Sequence, residues 1–169
     1  MARLFFAVWP SQPASLALGE LARAVAQRCG GRPVPAEKIH LTLAFLGEVP
    51  AERFRGVLDA AAAVPPASFD LRIDRLGAFR RSRVAWAGTT RLHPALAALQ
   101  AALESELRER GFTLEERPFA PHVTLARKAE RTLVAQSIEP LVWRVRGYRL
   151  VRTEPGTGKY LAVADFRRG

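Results

Sequence analysis

The chain has 169 residues, 49% of them hydrophobic, and a formal net charge of +10. This length suits one domain, or two small lobes that share a core, with room for a cavity. No apolar run approaches the roughly 20 residues of a membrane helix, and the N-terminal apolar stretch is too short for a secretory signal, so we expect a cytoplasmic protein. The single cysteine, Cys29, excludes an internal disulfide and a cysteine-based zinc site.

Basic residues outnumber acidic ones by 26 to 16. The resulting positive field attracts polyanions, nucleic acid among them. Only 3 of the basic residues are lysines, and this arginine bias could equally reflect genome composition and a generic solvated surface. The basic clusters where contacts to a nucleic-acid backbone would be sought are residues 80–83, 127–128 and 144–152.

The chain begins with a predicted strand and a predicted helix. Residues 3–9 form a short apolar and aromatic run, which is typical of a buried strand, and a proline ends it. The helix that follows has Ser11 as its cap and Pro13 in its first turn. Gly30 and Gly31 end it.

A second strand and a second helix come next. Residues 39–46 predict a strand that Gly47 closes. Residues 51–64 place apolar side chains at helical spacing, so they predict an amphipathic helix. The two prolines at residues 65–66 force that helix to stop.

The middle of the chain predicts two strands and then the most regular helix. Residues 69–73 alternate apolar and polar side chains, a basic turn containing Gly77 follows, and residues 83–87 form the next strand. A leucine stripe at spacings of three and four then indicates a third helix with its exit at Gly111. The stripe consists of Leu92, Leu96, Leu99, Leu103 and Leu107.

Three more strands are predicted at residues 120–126, 143–152 and 160–166, with a hairpin turn at residues 155–158. No long linker divides the chain. The order of elements predicts an α+β fold in a single bilobal domain over residues 1–169, with two pseudo-symmetric, mainly antiparallel sheets, outer helices and a central cleft.

Two of the three histidines share a four-residue pattern, His-x-Thr-x with an apolar last position. Motif 1 occupies residues 40–43 (His-Leu-Thr-Leu) and motif 2 occupies residues 122–125 (His-Val-Thr-Leu). The spacing between them is nearly half the chain, so chance repetition is a poor explanation. We interpret the pattern as an internal duplication in which each half carries one copy of a functional strand.

In a β-strand the side chains of residues i and i+2 point to the same face, so each motif places its histidine and its threonine on one face. His40 and Thr42 therefore share a face, as do His122 and Thr124, while the intervening apolar residues point into the core. Two such strands facing each other would surround one small cavity with two imidazoles and two hydroxyls.

This set of groups suits displacement at a phosphate ester, where one group removes a proton and another donates one on the opposite side. Histidine titrates near neutral pH, so one copy can act as base and the other as acid. The alternative is that both histidines are structural strand residues whose ring nitrogens are satisfied by local hydrogen bonds. His93 is interpreted as a capping or surface residue, and with no His-x-x-x-His spacing we expect no metal site and no cofactor.

These motifs and their flanks resemble the two-histidine phosphoesterase superfamily, and within it the RNA 2′,3′-cyclic phosphodiesterases, also called 2′-5′ RNA ligases. Four blocks match in order: residues 3–7 (RLFFA), 38–49 (KIHLTLAFLGEV), 82–88 (SRVAWAG) and 117–127 (RPFAPHVTLAR). The resemblance thus runs through most of the chain.

The resemblance implies a bilobal fold and a reaction in which water opens a terminal 2′,3′-cyclic phosphate of RNA to leave a 2′-phosphate. By the same resemblance His40 would be the proton donor and His122 the proton acceptor, while Thr42, Thr124 and Arg127 would bind the phosphate. The implied partner is RNA with a 2′,3′-cyclic phosphate end, such as a tRNA fragment or an oligonucleotide. We expect a monomer that uses neither metal nor membrane.

The sequence is also compatible with other functions. The protein could act on small cyclic nucleotides or 2′-5′ oligonucleotides, or it could be a non-catalytic module that binds RNA ends. Ligation is the same chemistry run with a 5′-hydroxyl in place of water, and the sequence does not rank it against hydrolysis. Residue chemistry alone leaves undecided which histidine is the acid, and the role of Tyr160 is likewise open.

Overall fold

A nine-stranded antiparallel sheet is the framework of the fold over residues 1–168, which are the residues that the computed structural model describes. The strands are β1 (Ala2–Val8), β2 (Arg32–Pro33), β3 (Leu41–Val49), β4 (Phe69–Phe79), β5 (Val84–Gly88), β6 (His122–Arg127), β7 (Gln136–Val145), β8 (Gly147–Thr153) and β9 (Tyr160–Arg167). The helices are α1 (Gln12–Cys29), α2 (Phe54–Ala62) and α3 (Pro94–Glu109), with 3₁₀ turns at Ala36–Lys38 and Ala51–Arg53. The predicted α+β class is confirmed.

The sheet has two halves, because its order is β7-β4-β5-β6-β3-β1-β8-β9 and the central β6–β3 link consists of the single register pair Leu41 and Val123. The short strand β2 adds to β6. Helix α1 packs on the β4–β7 half, while α3 packs against β3 and α2 packs against α3. The Tyr148 hydroxyl of β8 donates to carbonyls at the end of α2.

The helix ends follow the capping residues that the sequence predicts. The Ser11 hydroxyl accepts a hydrogen bond from the Ala14 amide at 3.4 Å, and Gly30 ends α1 in the left-handed conformation. His93 caps α3, because its Nδ1 accepts from the Ala95 amide at 3.0 Å. Since α3 begins at Pro94, the prediction that Leu92 opens the leucine stripe is wrong, and this side chain is 43% exposed. The other four leucines of the stripe are buried.

Gly77 corrects the prediction of a turn after residue 73. The residue lies inside β4, which continues to Phe79, and the turn falls at residues 80–83 instead. A Cβ atom at Gly77 would come within 2.3 Å of the Trp86 ring on the neighbouring strand. Glycine is therefore required by the close approach of an indole ring and not by a change in chain direction.

Residues 143–152 are two strands and not the one predicted, because β7 ends at Val145 and β8 begins at Gly147. A Cβ atom at Gly147 would meet the Phe166 carbonyl oxygen at 1.8 Å, so only glycine fits there. Buried positions switch from odd (Trp143, Val145) to even (Tyr148, Leu150) across the break. The sequence prediction also missed the start of β7 at Gln136 and the short strand β2.

A small apolar cluster lies apart from the main core and prepares one wall of the cleft. It consists of Phe5, Ala7 and Val151, with Trp9 and Tyr160 packed against it. The main core contains the alternate β1 residues Leu4, Phe6 and Val8. Within residues 1–168, no helix is both long and apolar enough to cross a membrane.

Candidate active site

All five predicted site residues line one cavity of about 610 Å³ where the two halves of the sheet meet. They are His40, Thr42, His122, Thr124 and Arg127. His122 and Thr124 lie within β6, whereas His40 lies one residue before β3, so the predicted strand at residues 39–46 begins later than expected. The intervening residues Leu41 and Val123 are fully buried, as the alternation predicts.

The register relates the two motifs by a local two-fold axis. Leu41 pairs with Val123 in the antiparallel link between β3 and β6, and each is the second residue of its motif. Because the strands run in opposite directions, extending this register by one residue sets Thr42 across from His122, and His40 across from Thr124. Each histidine thus faces the threonine of the other motif, and both pairs border the same cavity.

Each imidazole is held by the backbone of its own segment. His40 Nδ1 lies 2.7 Å from the Lys38 carbonyl oxygen, and His122 Nδ1 lies 2.9 Å from the Ala120 carbonyl oxygen. A carbonyl oxygen can only accept, so Nδ1 carries the proton in both rings. Local hydrogen bonds therefore satisfy one nitrogen of each ring and leave Nε2 as the nitrogen available to exchange a proton.

Aromatic rings surround His40 on several sides. The Trp9 ring stacks on it with centroids 4.7 Å apart, and the Phe5 ring lies at 5.0 Å. Tyr160 meets it edge-on at 5.3 Å. These contacts hold the ring in one orientation and shield part of it from water.

Burial is the main cause that lowers the pKa of His40 below its ordinary value of 6.5. The charges of Arg127, His122 and Lys38 lower the pKa further, and the hydrogen bond to the Lys38 carbonyl opposes them. The neutral imidazole is thus the favoured form of His40 in the free protein.

His122 has different neighbours, so the two motifs are not equivalent. The Phe79 ring meets His122 edge-on at 5.1 Å, and the Trp86 ring lies 6.3 Å away. Phe79 is 40% exposed, whereas Phe5 beside His40 is buried. The two-fold relation therefore holds for the motifs and breaks in the surrounding side chains.

The wall of the cavity carries five cationic side chains. They are Arg3, Arg32, Lys38, Arg127 and Lys128, and no carboxylate is among the described residues that line it. Lys38 Nζ donates to the Gly158 carbonyl oxygen at 2.9 Å and lies 4.6 Å from the centre of the Tyr160 ring. A cavity of this charge favours an anionic ligand.

Sequence reasoning missed several residues of this wall. Arg3 shares the cleft face of β1 with Phe5, so strand alternation could have found it. Lys38 ends the 3₁₀ turn that precedes His40, and strand alternation does not extend to that turn. Arg32 enters the wall because β2 pairs it with Arg127, a tertiary contact with no local signal. Tyr160, whose role the sequence leaves open, lines the cavity beside His40.

The other basic clusters lie elsewhere. Residues 80–83 form the turn between β4 and β5. Arg144 pairs with Asp70 at 3.4 Å, and Arg149 pairs with Asp165 at 3.7 Å. Of the three clusters, only residues 127–128 line the cavity. Among residues 1–168, no group of three or more His, Cys, Asp or Glu side chains is placed to hold a metal ion.

An antiparallel sheet in two halves, with one His-x-Thr-x motif on each side of the link between them, defines the class of protein as the two-histidine phosphoesterase superfamily. The model of the LigT-like phosphoesterase family matches residues 8–86 and 90–158. The chain belongs to this LigT-like phosphoesterase family, as the motif resemblance predicts.

Named relatives agree with this assignment. The RNA 2′,3′-cyclic phosphodiesterase of Escherichia coli K12 is 41% identical over 103 residues, which are 61% of this chain and 58% of that protein. The RNA 2′,3′-cyclic phosphodiesterase of Thermus thermophilus is 35% identical over 167 residues, covering 90% of this chain and 82% of that protein. The family and these relatives confirm the predicted enzyme class, a cyclic phosphodiesterase.

Solved structures give the same result for the fold. The crystal structure of E. coli LigT in apo form superposes with a TM-score of 0.84 at 32% identity, covering 98% of this chain and 96% of that chain. The crystal structure of E. coli LigT complexed with 3′-AMP gives a TM-score of 0.82 at 32% identity, covering 98% of this chain and 97% of that chain.

Proposed function

We propose that this protein hydrolyses the terminal 2′,3′-cyclic phosphate of RNA to a 2′-phosphate by metal-independent acid–base catalysis. The observation that carries the proposal is the arrangement of the two imidazoles. Each uses Nδ1 on its own backbone and keeps Nε2 free, and both line one cationic cavity. Relatives named for the RNA 2′,3′-cyclic phosphodiesterase reaction support this substrate class.

The reaction requires one proton to leave the nucleophile and one to reach the leaving group. His122 Nε2 takes a proton from water as the oxygen attacks phosphorus, and His40 Nε2 gives its proton to the departing O3′. The P–O3′ bond breaks, and the phosphate stays on O2′. These roles rest on the resemblance of the motifs to those of the family, because the near-symmetry of the two motifs gives no polarity by itself.

Thr42, Thr124 and Arg127 act on the non-bridging oxygens in this proposal. The two hydroxyls donate hydrogen bonds from fixed positions beside the histidines, where negative charge develops in the transition state. The Arg127 guanidinium neutralises the phosphate, and its charge also contributes to the low pKa of His40.

The lowered pKa of His40 has a consequence for its role as the acid. The free protein favours the neutral ring, so His40 must gain its proton when the anionic phosphate enters the cavity. A nearby negative charge stabilises imidazolium, so the bound phosphate favours the protonated form of His40 that can act as the acid. Protonation of His40 is expected to increase with occupancy of the site.

RNA ends, tRNA fragments among them, bind along the cationic wall, and the protein acts as a cytoplasmic monomer in a single domain. The Leu41–Val123 register supports an origin of the two motifs by internal duplication. Ligation follows when an RNA 5′-hydroxyl replaces water as the nucleophile.

The test is incubation with a short RNA that ends in a 2′,3′-cyclic phosphate, in the presence of EDTA. The proposal predicts conversion to the 2′-phosphate with undiminished rate in the chelator. Loss of turnover in EDTA would overturn the metal-independent mechanism, and a 3′-phosphate product would overturn the direction of ring opening. Faster turnover of cyclic mononucleotides than of RNA ends would favour the small-substrate alternative. Tight, salt-sensitive binding without any product would favour a binding module.

A further inference from the structure

A second cavity of about 590 Å³ adjoins the first. The two cavities share Thr42, Phe45 and His122, while His40 lines only the first. Open space therefore adjoins a phosphate held between the histidines on its His122 side, and neither His40 nor the cationic side chains of the first cavity line that space.

The lining of the second cavity differs in chemistry from that of the first. Two exposed aromatic rings border it, Phe45 at 48% and Phe79 at 40% exposure. Gln100 and Glu104 of α3 lie on another side, and Gln100 Nε2 donates to Glu104 at 2.9 Å. Among the described residues that line it, Arg117 is the one cationic side chain, and it pairs with Glu115. This cavity therefore offers aromatic surface and hydrogen-bond acceptors but little positive charge.

We propose that the second cavity binds the nucleoside that carries an attacking 5′-hydroxyl, and that it is the acceptor subsite for RNA ligation. The inference rests on the proposed function, in which His122 is the base. In-line substitution places the nucleophile opposite the leaving O3′, and the base that activates it must contact the space from which it arrives. His122 borders this space and His40 does not.

The reaction at this subsite balances without any other reactant. The 5′-oxygen forms a bond to phosphorus as its proton passes to His122 Nε2, and the P–O3′ bond breaks as His40 Nε2 supplies a proton to O3′. The product is a 2′-5′ phosphodiester. When the subsite is empty, water takes the same position and hydrolysis results.

Charge selects a 5′-hydroxyl end over a 5′-phosphorylated end. A phosphate at the 5′ position would enter a cavity that contains Glu104 and Glu115. The pKa of Glu104 is lowered by its hydrogen bonds to Gln100 and Arg108, so its carboxylate stays ionised. Arg108 and Arg117 already pair with Glu104 and Glu115, so these two guanidinium groups are not free to neutralise a 5′-phosphate. A nucleoside without a 5′-phosphate has no such penalty.

The base of the acceptor nucleoside has two means of recognition here. The exposed face of Phe79 provides a stacking surface, which suits any base. The Gln100 side-chain oxygen and the Glu104 carboxylate accept hydrogen bonds from an exocyclic amino group. We therefore expect adenosine at the acceptor 5′ end to bind better than uridine.

The test follows ligation and hydrolysis in the same reaction. A donor RNA with a 2′,3′-cyclic phosphate is mixed with an acceptor oligonucleotide that has a 5′-hydroxyl and a blocked 3′ end, and both products are quantified. The expected result is 2′-5′ product whose amount saturates with acceptor. Phe79→Ala should raise the acceptor KM about tenfold, the scale of one base-stacking contact, with a smaller effect on the donor KM.

Two matched comparisons make the test specific. Leu92→Ala removes a similarly exposed apolar side chain outside both cavities and should leave the acceptor KM unchanged. Gln100→Ala alters the subsite without touching a histidine and should reduce the preference for adenosine. Two unreactive competitors, the 5′-deoxy and 5′-phosphorylated forms of the acceptor, test the charge argument, and only the 5′-deoxy form should inhibit ligation well.

Failure of this inference is distinguishable from failure of the proposed function. If the donor alone is not hydrolysed, the proposed function is wrong, and the subsite inference is wrong with it. If the donor is hydrolysed but no 2′-5′ product forms at millimolar acceptor, the subsite inference alone is overturned. It is also overturned if Phe79→Ala and Gln100→Ala leave acceptor KM and base preference as in the wild type, or if the 5′-phosphorylated competitor inhibits as well as the 5′-deoxy one.

Discussion

Replacement of Thr42 by valine tests whether the motif hydroxyls stabilise the transition state. Valine keeps the β-branched shape that suits a strand and removes only the hydroxyl. Leu41 and Leu43 on either side are buried, so the backbone at this position is held by packing and should not move. The change in rate then reports the loss of one hydrogen-bond donor.

The expected loss in kcat is roughly 10²-fold, the lower end of the range for removing one preorganised donor from a charged transition state. The lower end applies because Thr42 is half-buried and water can partly replace the hydroxyl. Charge on the non-bridging oxygens grows only as the reaction proceeds, so KM should change much less than kcat.

The assay is steady-state hydrolysis of an RNA 2′,3′-cyclic phosphate by the wild type and three variants. Thr42→Ser restores the donor and should recover most of the activity. Thr153→Val removes a hydroxyl from the same cavity but outside the motifs, and it should lose little. If Thr42→Val keeps nearly full kcat, or if Thr153→Val loses as much, the reasoning on transition-state donors is refuted.

Two further predictions concern the charge of the cavity and the packing of its support. Arg127→Gln should raise the pKa of His40, because it removes a positive charge that disfavours imidazolium. An NMR titration of the His40 ring measures this pKa. An equal rise in the control Lys128→Gln would contradict a specific effect of the Arg127 charge on His40. Tyr148→Phe should lower the free energy of unfolding by about 1–3 kcal/mol, or roughly 2–12 °C in Tm. The Tyr148 hydroxyl donates to the Ala61 and Val64 carbonyl oxygens at 2.9 and 2.7 Å. Without this hydroxyl, the Ala61 carbonyl still accepts from the Val64 amide, whereas the buried Val64 carbonyl loses its hydrogen bond from Tyr148. Tyr160→Phe is the matched control, and equal melting temperatures for both variants would show that the buried hydroxyl contributes nothing.

Local signals in the sequence were sufficient for the elements that end in strong caps or carry clear periodicity. Ser11 and Gly30 bound α1 as predicted, and the capping role assigned to His93 is what the structure shows. Errors arose where a residue serves a tertiary contact instead of a local one. The sequence predicts Gly77 as a turn residue, but the Trp86 ring on the next strand is what requires a glycine there.

The candidate site divides in the same way. The four motif side chains meet in one cavity because alternation sets each histidine and its threonine on one face, and the Leu41–Val123 pair joins the two strands. Arg127 also lines the cavity, but it was predicted by the family resemblance and not by alternation, because it lies three residues past Thr124. The wall residues Arg32 and Tyr160 arrive from β2 and β9, whose pairing depends on the whole sheet. The asymmetry between the histidines arises from Trp9 on one side and Phe79 on the other, and no repeat in the sequence shows it.

The most direct test of the central claim is the single-turnover rate of RNA 2′,3′-cyclic phosphate opening by His40→Ala, by His122→Ala and by the double variant. If the two imidazoles act as one acid–base unit, each single variant loses about 10²–10⁴-fold, and the double variant loses hardly more than either. Retention by either single variant of a rate within about tenfold of the wild type would contradict two-histidine catalysis.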